Sequence, residues 1–158
     1  MSVPKEEWYI ASPSGFAEST NLWYEERLLP MVSKYIEPLD PWAIDTKYIL
    51  DAPKEDRSKL WLELGERHLD TIKNQAKGVI AILDQEPPDN GTVVEVAWAA
   101  ANNIPVIGYR NDIRTIGEEG LPYNLMIGAA IRRSGGIAVA NMIELEAELK
   151  KYSGRQDQ

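Results

Sequence analysis

Asp89 and Glu95 are the residues whose types and spacing point most directly to chemistry. They sit in the stretch Pro88-Asp89-Asn90-Gly91-Thr92-Val93-Val94-Glu95-Val96-Ala97-Trp98-Ala99, directly after the apolar run Gly78 to Asp84. The run reads as a buried strand, the Pro, Asp, Asn and Gly cluster as a turn, and the apolar stretch after that turn as a helix. Glu95 is then a lone carboxylate among Val93, Val94, Val96, Ala97 and Trp98. Burying such a charge costs several kcal/mol unless it is paired or used. A strand, turn and helix in succession also bring the helix start to the carboxyl edge of a sheet, where open α/β sheets bind their ligands.

Tyr9, near the end of a first strand, converges on the same edge. Asp70 lies on the helix that leads into the buried strand, and the fold alone does not say whether it reaches the site. Three carboxylates without metal ligands around them suit acid–base or nucleophilic work on a small polar substrate. Chemistry at a glycosidic carbon uses that set. One carboxylate attacks or stabilises an oxocarbenium-like centre, and another handles the proton of the leaving group. Each residue also has a plainer reading: Asp89 as a turn or cap residue, Glu95 as one member of an ion pair on a half-exposed helix, Asp70 as a solvated helix charge, Tyr9 as a core aromatic with a satisfied hydroxyl, and His68 as packing or surface.

The elements that must position these groups follow from periodicity and punctuation. Trp8 to Ser12 reads as a strand, Pro13-Ser14-Gly15 as a turn, and Phe16 to Tyr35 as a helix. In that helix Leu22, Tyr24, Leu28, Leu29, Val32 and Tyr35 recur near helical spacing, and Pro30 predicts a kink or break. Tyr35 to Leu39 is a short edge strand, marked as such by Pro38. Asp40 to Asp56 is the longest irregular region, and long loops in compact domains are often functional. Arg57 to Gln75 is a second helix, with Leu60, Trp61, Leu64, His68 and Ile72 on one side. After the central strand and the helix of Glu95 come a strand at Ile104 to Tyr109, a polar loop at Asn111 to Gly120, a helix at Asn124 to Arg133, a strand at Gly136 to Ala140 and a closing helix at Asn141 to Tyr152. Ser153 to Gln158 is expected to fray. Strand and helix alternate about five times, which implies α/β architecture with a parallel sheet covered on both faces. In so short a chain this favours a flavodoxin-like, doubly wound five-stranded sheet of order 2-1-3-4-5. A single domain over residues 1–158 is expected.

Composition narrows the partners. The 158 residues carry a formal charge of −8, which opposes binding to a phosphate backbone. The basic residues are scattered, so nucleic acid is not an expected partner and a small ligand is. There is no cysteine and one histidine, His68, which excludes disulfides, thiolate metal sites and a multi-histidine centre within one chain. Neither a metal nor a cofactor is expected. No apolar run reaches the roughly 20 residues of a membrane helix, and Met1 to Glu7 lacks the apolar core of a signal peptide. The expectation is a cytoplasmic protein without a membrane partner. Five Trp and seven Tyr against one Phe suit stacking sites and subunit interfaces, and equally an ordinary core.

Three blocks of the sequence resemble the nucleoside 2-deoxyribosyltransferase family. Tyr9-Ile10-Ala11-Ser12-Pro13-Ser14-Gly15-Phe16 is similar to its opening strand and loop. Asp70 with Ile72 and Lys73, the strand to Leu83, and Asp89 to Ala99 resemble its D-x-G-x-x-x-E-x-G-x-A core, with Ala97 where glycine is usual. Pro122-Tyr123-Asn124-Leu125-Met126-Ile127 is similar to its N-x-M segment. The resemblance implies transfer of 2-deoxyribose between nucleobases with retention. It implies Glu95 as nucleophile at the anomeric carbon, Asp70 and Asp89 holding the base and relaying a proton, and Tyr9 orienting Glu95. It further implies Asn124, from a neighbouring subunit, on the sugar 5′-hydroxyl with Met126 packing nearby, Phe16 and Trp42 stacking on the base, and Ser12, Gly15 and Gly91 among the substrate contacts. The implied partners are deoxynucleosides and free bases, and the implied assembly is a dimer or larger oligomer with a shared site. The apolar residues Val93, Val96, Trp98 and Ala100 also point weakly to an interface. The nearest rival is a hydrolase of 2-deoxynucleoside 5′-monophosphates, for which Ser12, Ser14 and Gly15 offer phosphate donors. Asn124 suits a neutral 5′-hydroxyl better. A non-catalytic nucleotide-binding module on the same fold stays open. A receiver domain is disfavoured, because Ala11-Ser12-Pro13 replaces the acidic pair it needs.

Overall fold

The computed structural model describes residues 4–153. Its five strands are β1 (Glu7–Ala11), β2 (Glu37–Leu39), β3 (Gly78–Ile82), β4 (Val106–Tyr109) and β5 (Ile137–Val139). They form one sheet in the order β2-β1-β3-β4-β5, and every pairing is parallel. This is the flavodoxin-like order expected from the sequence. Its helices are α1 (Glu18–Trp23), α2 (Leu29–Val32), α3 (Lys47–Asp51), α4 (Lys54–Asn74), α5 (Asn90–Ala101), α6 (Leu125–Arg133) and α7 (Met142–Ser153).

The period of two along each strand sorts the core into two layers. Trp8, Ile10, Ile80, Ile82, Ile107 and Tyr109 face one side, where Tyr24, Leu28, Val32, Leu145 and Leu149 cover them. Tyr9, Ala11, Val79, Ala81, Leu83 and Val106 face the other, under Ile72 of α4, Val96 and Ala99 of α5, and Ile127 and Ile131 of α6. That parity puts the Tyr9 side chain on the α4–α5 side of the sheet. A slip of one residue in β1 would turn it to the opposite layer.

Several boundaries differ from the sequence reading, each for a physical reason. Pro30 does not break its helix. The chain runs from α1 through a π-helical turn, Tyr24–Leu28, into α2. The Leu29 N–H donates to the Tyr24 carbonyl, and this wider turn makes room for a ring that would clash in a regular helix. Leu22, assigned to the apolar stripe, is exposed. The region Asp40 to Asp56 is more ordered than expected: it holds a 3₁₀ turn at Pro41–Ala43, the whole of α3 and the start of α4. β3 ends at Ile82 and not Asp84, β4 begins at Val106 and not Ile104, and β5 is confined to Ile137–Val139. Ser153 closes α7, and residues 154–158 of the tail lie outside the described residues. Of the four α5 residues offered as interface material, Val96 and Ala100 are buried in the chain's own core, and the Trp98 indole donates to the Leu69 carbonyl of α4 at 2.9 Å. No helix among the described residues is long and apolar enough to cross a membrane.

Candidate active site

The site begins with a helix cap. Asp89 ends the turn after β3, and its Oδ2 accepts hydrogen bonds from the Thr92 N–H at 2.8 Å and the Thr92 hydroxyl at 3.1 Å. A cap of this kind stabilises a helix start by about 1 kcal/mol. It also fixes the rotation of α5, so that Val96 and Ala99 enter the core while Glu95 emerges beside it. There the Tyr9 hydroxyl donates to Glu95 Oε1 at 2.7 Å. The plainer reading of Glu95 as an ion-pair partner does not hold: among the described residues no cation pairs with it.

The electrostatics follow from burial. Desolvation pushes the Glu95 carboxyl up from its ordinary 4.5 to about 7; the Tyr9 hydrogen bond pulls it back, and the Asp89 charge adds to the rise. Burial, then the Glu95 carboxylate, hold the Tyr9 hydroxyl far above its ordinary value, so Tyr9 stays a donor at any working pH. A folded-state value above the unfolded one means that this group stabilises the protein below about pH 4.5 and that the contribution is lost as pH rises through about 7. The cost at neutral pH is no more than roughly 3 kcal/mol, reduced by the water that reaches the open side of the site. A carboxylate that is costly to ionise, hydrogen-bonded on one oxygen and unpaired with any cation is suited to nucleophilic attack.

Around it lies a cavity of about 380 Å³ lined by Tyr9, Ser12, Phe16, Trp42, Asp89, Gly91 and Glu95 of the expected residues. The segment after β2 supplies its rim. Tyr24 donates to Asp40 Oδ1 at 2.7 Å, and the same oxygen caps the 3₁₀ turn by accepting from the Trp42 N–H at 3.0 Å. The Trp42 indole then donates to the Ser12 carbonyl at 2.9 Å. Its ring meets Phe16 edge-on, with centroids 4.7 Å apart. Gly15 packs beneath that ring so closely that a Cβ there would fall 2.2 Å from Trp42 Cδ2. Gly15 thus acts by letting the aromatic wall close over the loop.

The sequence reading missed part of the wall. Ile44 and Thr46 line it from the segment thought irregular, and Trp61, Leu64 and His68 line it from α4. The i, i+3, i+7 spacing of those three on one helical stripe is a signal that could have found them. Asp70 is on the wrong side of that helix. It is exposed and absent from the lining, since two positions along an α-helix turn a side chain by about 200°. Asn124 and Met126 are also elsewhere. Asn124 caps α6 through its Oδ1, which accepts from the Met126 N–H at 2.9 Å. Both residues line a separate groove of about 660 Å³ with Pro87, Val93 and Ile116. Among the described residues no three His, Cys, Asp or Glu side chains cluster to hold a metal ion.

The model of one protein family, described as nucleoside 2-deoxyribosyltransferase, matches residues 8–126, from Tyr9's strand to Met126. The chain belongs to the nucleoside 2-deoxyribosyltransferase family. Membership makes it an enzyme that acts on nucleosides. Solved structures share the fold. A conserved protein of Enterococcus faecalis V583 aligns at 22% identity and TM-score 0.70 over 94% of this chain and 99% of that one. A 2-deoxyribosyltransferase of the psychrotolerant bacterium Bacillus psychrosaccharolyticus aligns at 19% and 0.66, covering 90% and 95%. A CMP N-glycosidase of Clostridium botulinum aligns at 18% and 0.53, covering 96% and 98%. No curated protein sequence matches.

Substitutions at two positions test how this transferase-family site is built. Tyr9→Phe removes the donor without opening a cavity. It should lower kcat/KM by about tenfold to a hundredfold, the worth of a hydrogen bond to a charged group. It should also move the rise of kcat/KM with pH above the midpoint near 7, because that hydrogen bond lowers the Glu95 value. An unshifted pH profile would show that Tyr9 does not act on Glu95. Asp89→Asn retains a good cap and should melt like the parent, whereas Asp89→Ala should lose about 1 kcal/mol. If Asp89 also handles the base, both variants should lose activity; full activity in Asp89→Asn would leave it a cap alone.

Proposed function

We propose that the protein transfers 2-deoxyribose between nucleobases through a covalent intermediate on Glu95. The observation that carries the reading is the Tyr9–Glu95 hydrogen bond of 2.7 Å at the floor of an aromatic-walled cavity. A Glu95 oxygen attacks C1′ on the face opposite the base. The C1′–N bond breaks, its electron pair leaves with the base, and an ester joins Glu95 to the sugar. A second base then attacks C1′ and expels the carboxylate. Two inversions give net retention. Asp89 lies where it can share the proton traffic of the base, and Phe16 and Trp42 offer faces to a planar ring.

Neutral deoxynucleosides suit this cavity better than their 5′-monophosphates. No Lys or Arg lines it. The Ser12 and Ser14 hydroxyls, candidates for a phosphate dianion, are buried and bonded to each other at 2.7 Å. The reading also requires a second copy of the chain. Asn124 and Met126 are exposed and face a different groove from the one that holds Glu95, so their part in sugar binding needs a neighbouring subunit to deliver them. Met126, on the rim of that groove, is apolar and exposed, as are Val94 of α5 and Leu125 of α6.

Incubation with deoxyinosine and free adenine should yield deoxyadenosine and hypoxanthine, and Glu95→Ala should yield neither. Hydrolysis of deoxynucleoside monophosphates without any base exchange would instead assign the chain to the hydrolase alternative.

A further inference from the structure

We infer that His68, and not Asp70, is the α4 side chain that meets the nucleobase and assists its departure. The inference rests on the deoxyribosyl transfer proposed above and names the group that stabilises its leaving base.

The geometry singles out His68 by its place on α4 beside Tyr9 and by its unbonded ring nitrogens. Elsewhere in the lining Tyr9 is bonded to Glu95, Ser12 to Ser14 and Thr92 to Asp89 Oδ2, while the second Asp89 oxygen and the Thr46 hydroxyl open onto the cavity from other walls. His68 makes no hydrogen bond among the described residues. Its ring stands edge-on to Tyr9 with centroids 6.2 Å apart, so it borders the residue that holds the nucleophile. Trp61 and Leu64 precede it on the same stripe of α4, and the Trp98–Leu69 hydrogen bond pins that stretch of helix against α5. Together they present an apolar stripe that ends in one imidazole. Burial, and then the neighbouring Arg67 charge, lower the His68 pKa from its ordinary 6.5. The ring is therefore neutral at pH 7, with one N–H donor and one acceptor nitrogen.

A neutral imidazole fits a nucleobase edge, which offers donors and acceptors side by side. As the C1′–N bond breaks, its electron pair settles on the base, and the His68 N–H hydrogen-bonds the ring nitrogen that gathers this charge. The proton stays on the imidazole. The departing base gains a proton and the incoming base gives one up through Asp89 or water, so the exchange balances. Hydrogen bonds of this kind act most strongly on the transition state, where the charge develops.

The experiment compares two donors: a natural purine deoxynucleoside, and a deoxyriboside whose base departs as a stable anion without help. Wild type is assayed first with deoxyinosine and adenine; no exchange there would overturn the transfer reading itself. With exchange present, His68→Phe should lose about tenfold or more in kcat/KM on the natural donor and under about threefold on the activated one. His68→Asn, which keeps a donor and an acceptor in a smaller side chain, should recover part of the loss on the natural donor and guards against a folding defect. An equal loss on both donors in both variants, or no loss on either, would overturn the assignment.

Discussion

One hydrogen bond organises this molecule: the hydroxyl of Tyr9 on a carboxylate that the fold has largely taken out of water. Two opposing effects meet there. Desolvation drives Glu95 toward its neutral acid, and the phenol draws it back toward the anion. A hydrogen bond to a charged group contributes about 1.5–3 kcal/mol, and the rise to about 7 is what desolvation leaves after that contribution. The balance leaves Glu95 titrating near neutrality, where it is anionic for a useful share of molecules yet poorly solvated. A fully paired carboxylate would be inert, and a fully buried one would stay protonated.

The rest of the fold serves that balance. Strand parity in β1 puts Tyr9 on the layer that α4 and α5 cover, while Trp8 and Ile10 anchor the strand from the opposite layer. The Asp89 cap sets the phase of α5. The chain of contacts from Tyr24 through Asp40 to Trp42 and the Ser12 carbonyl holds the aromatic rim against the end of β1. This last device recruits a π-helical turn, since Tyr24 opens the widened stretch that accommodates Pro30.

What the sequence made legible, and what it hid, divides along physical lines. The apolar run before Asp84 and the turn chemistry of Asp89-Asn90-Gly91 depend on neighbours in the chain, so the central strand, the cap and the position of Glu95 were readable. Sheet order was readable too, because alternating strands and helices in so short a chain leave few topologies. Pro30 marked a disturbance of its helix, but not its form, because a π turn is a tertiary accommodation that no local propensity announces. The segment around Trp42 looked irregular because its order comes from Asp40, Tyr24 and Ser12, which lie far apart in sequence. Asp70, matched by motif, lies outside the cavity lining. The residue type suggested a carboxylate, but the helical phase shared by Trp61, Leu64 and His68 puts the imidazole in the cavity. That phase was visible in the sequence; its chemical meaning was not, since a lone histidine on an amphipathic stripe is more often packing.

The central claim is that Glu95 bonds to the sugar. The most direct measurement is mass spectrometry of the acid-quenched protein after mixing with a deoxynucleoside and no acceptor base, followed by peptide mapping. The expected result is a fraction of chains heavier by one 2-deoxyribosyl unit, with the added mass on the peptide containing Glu95 and absent from Glu95→Gln. Turnover by a protein that stays unmodified throughout, or an adduct on any other residue, would contradict it.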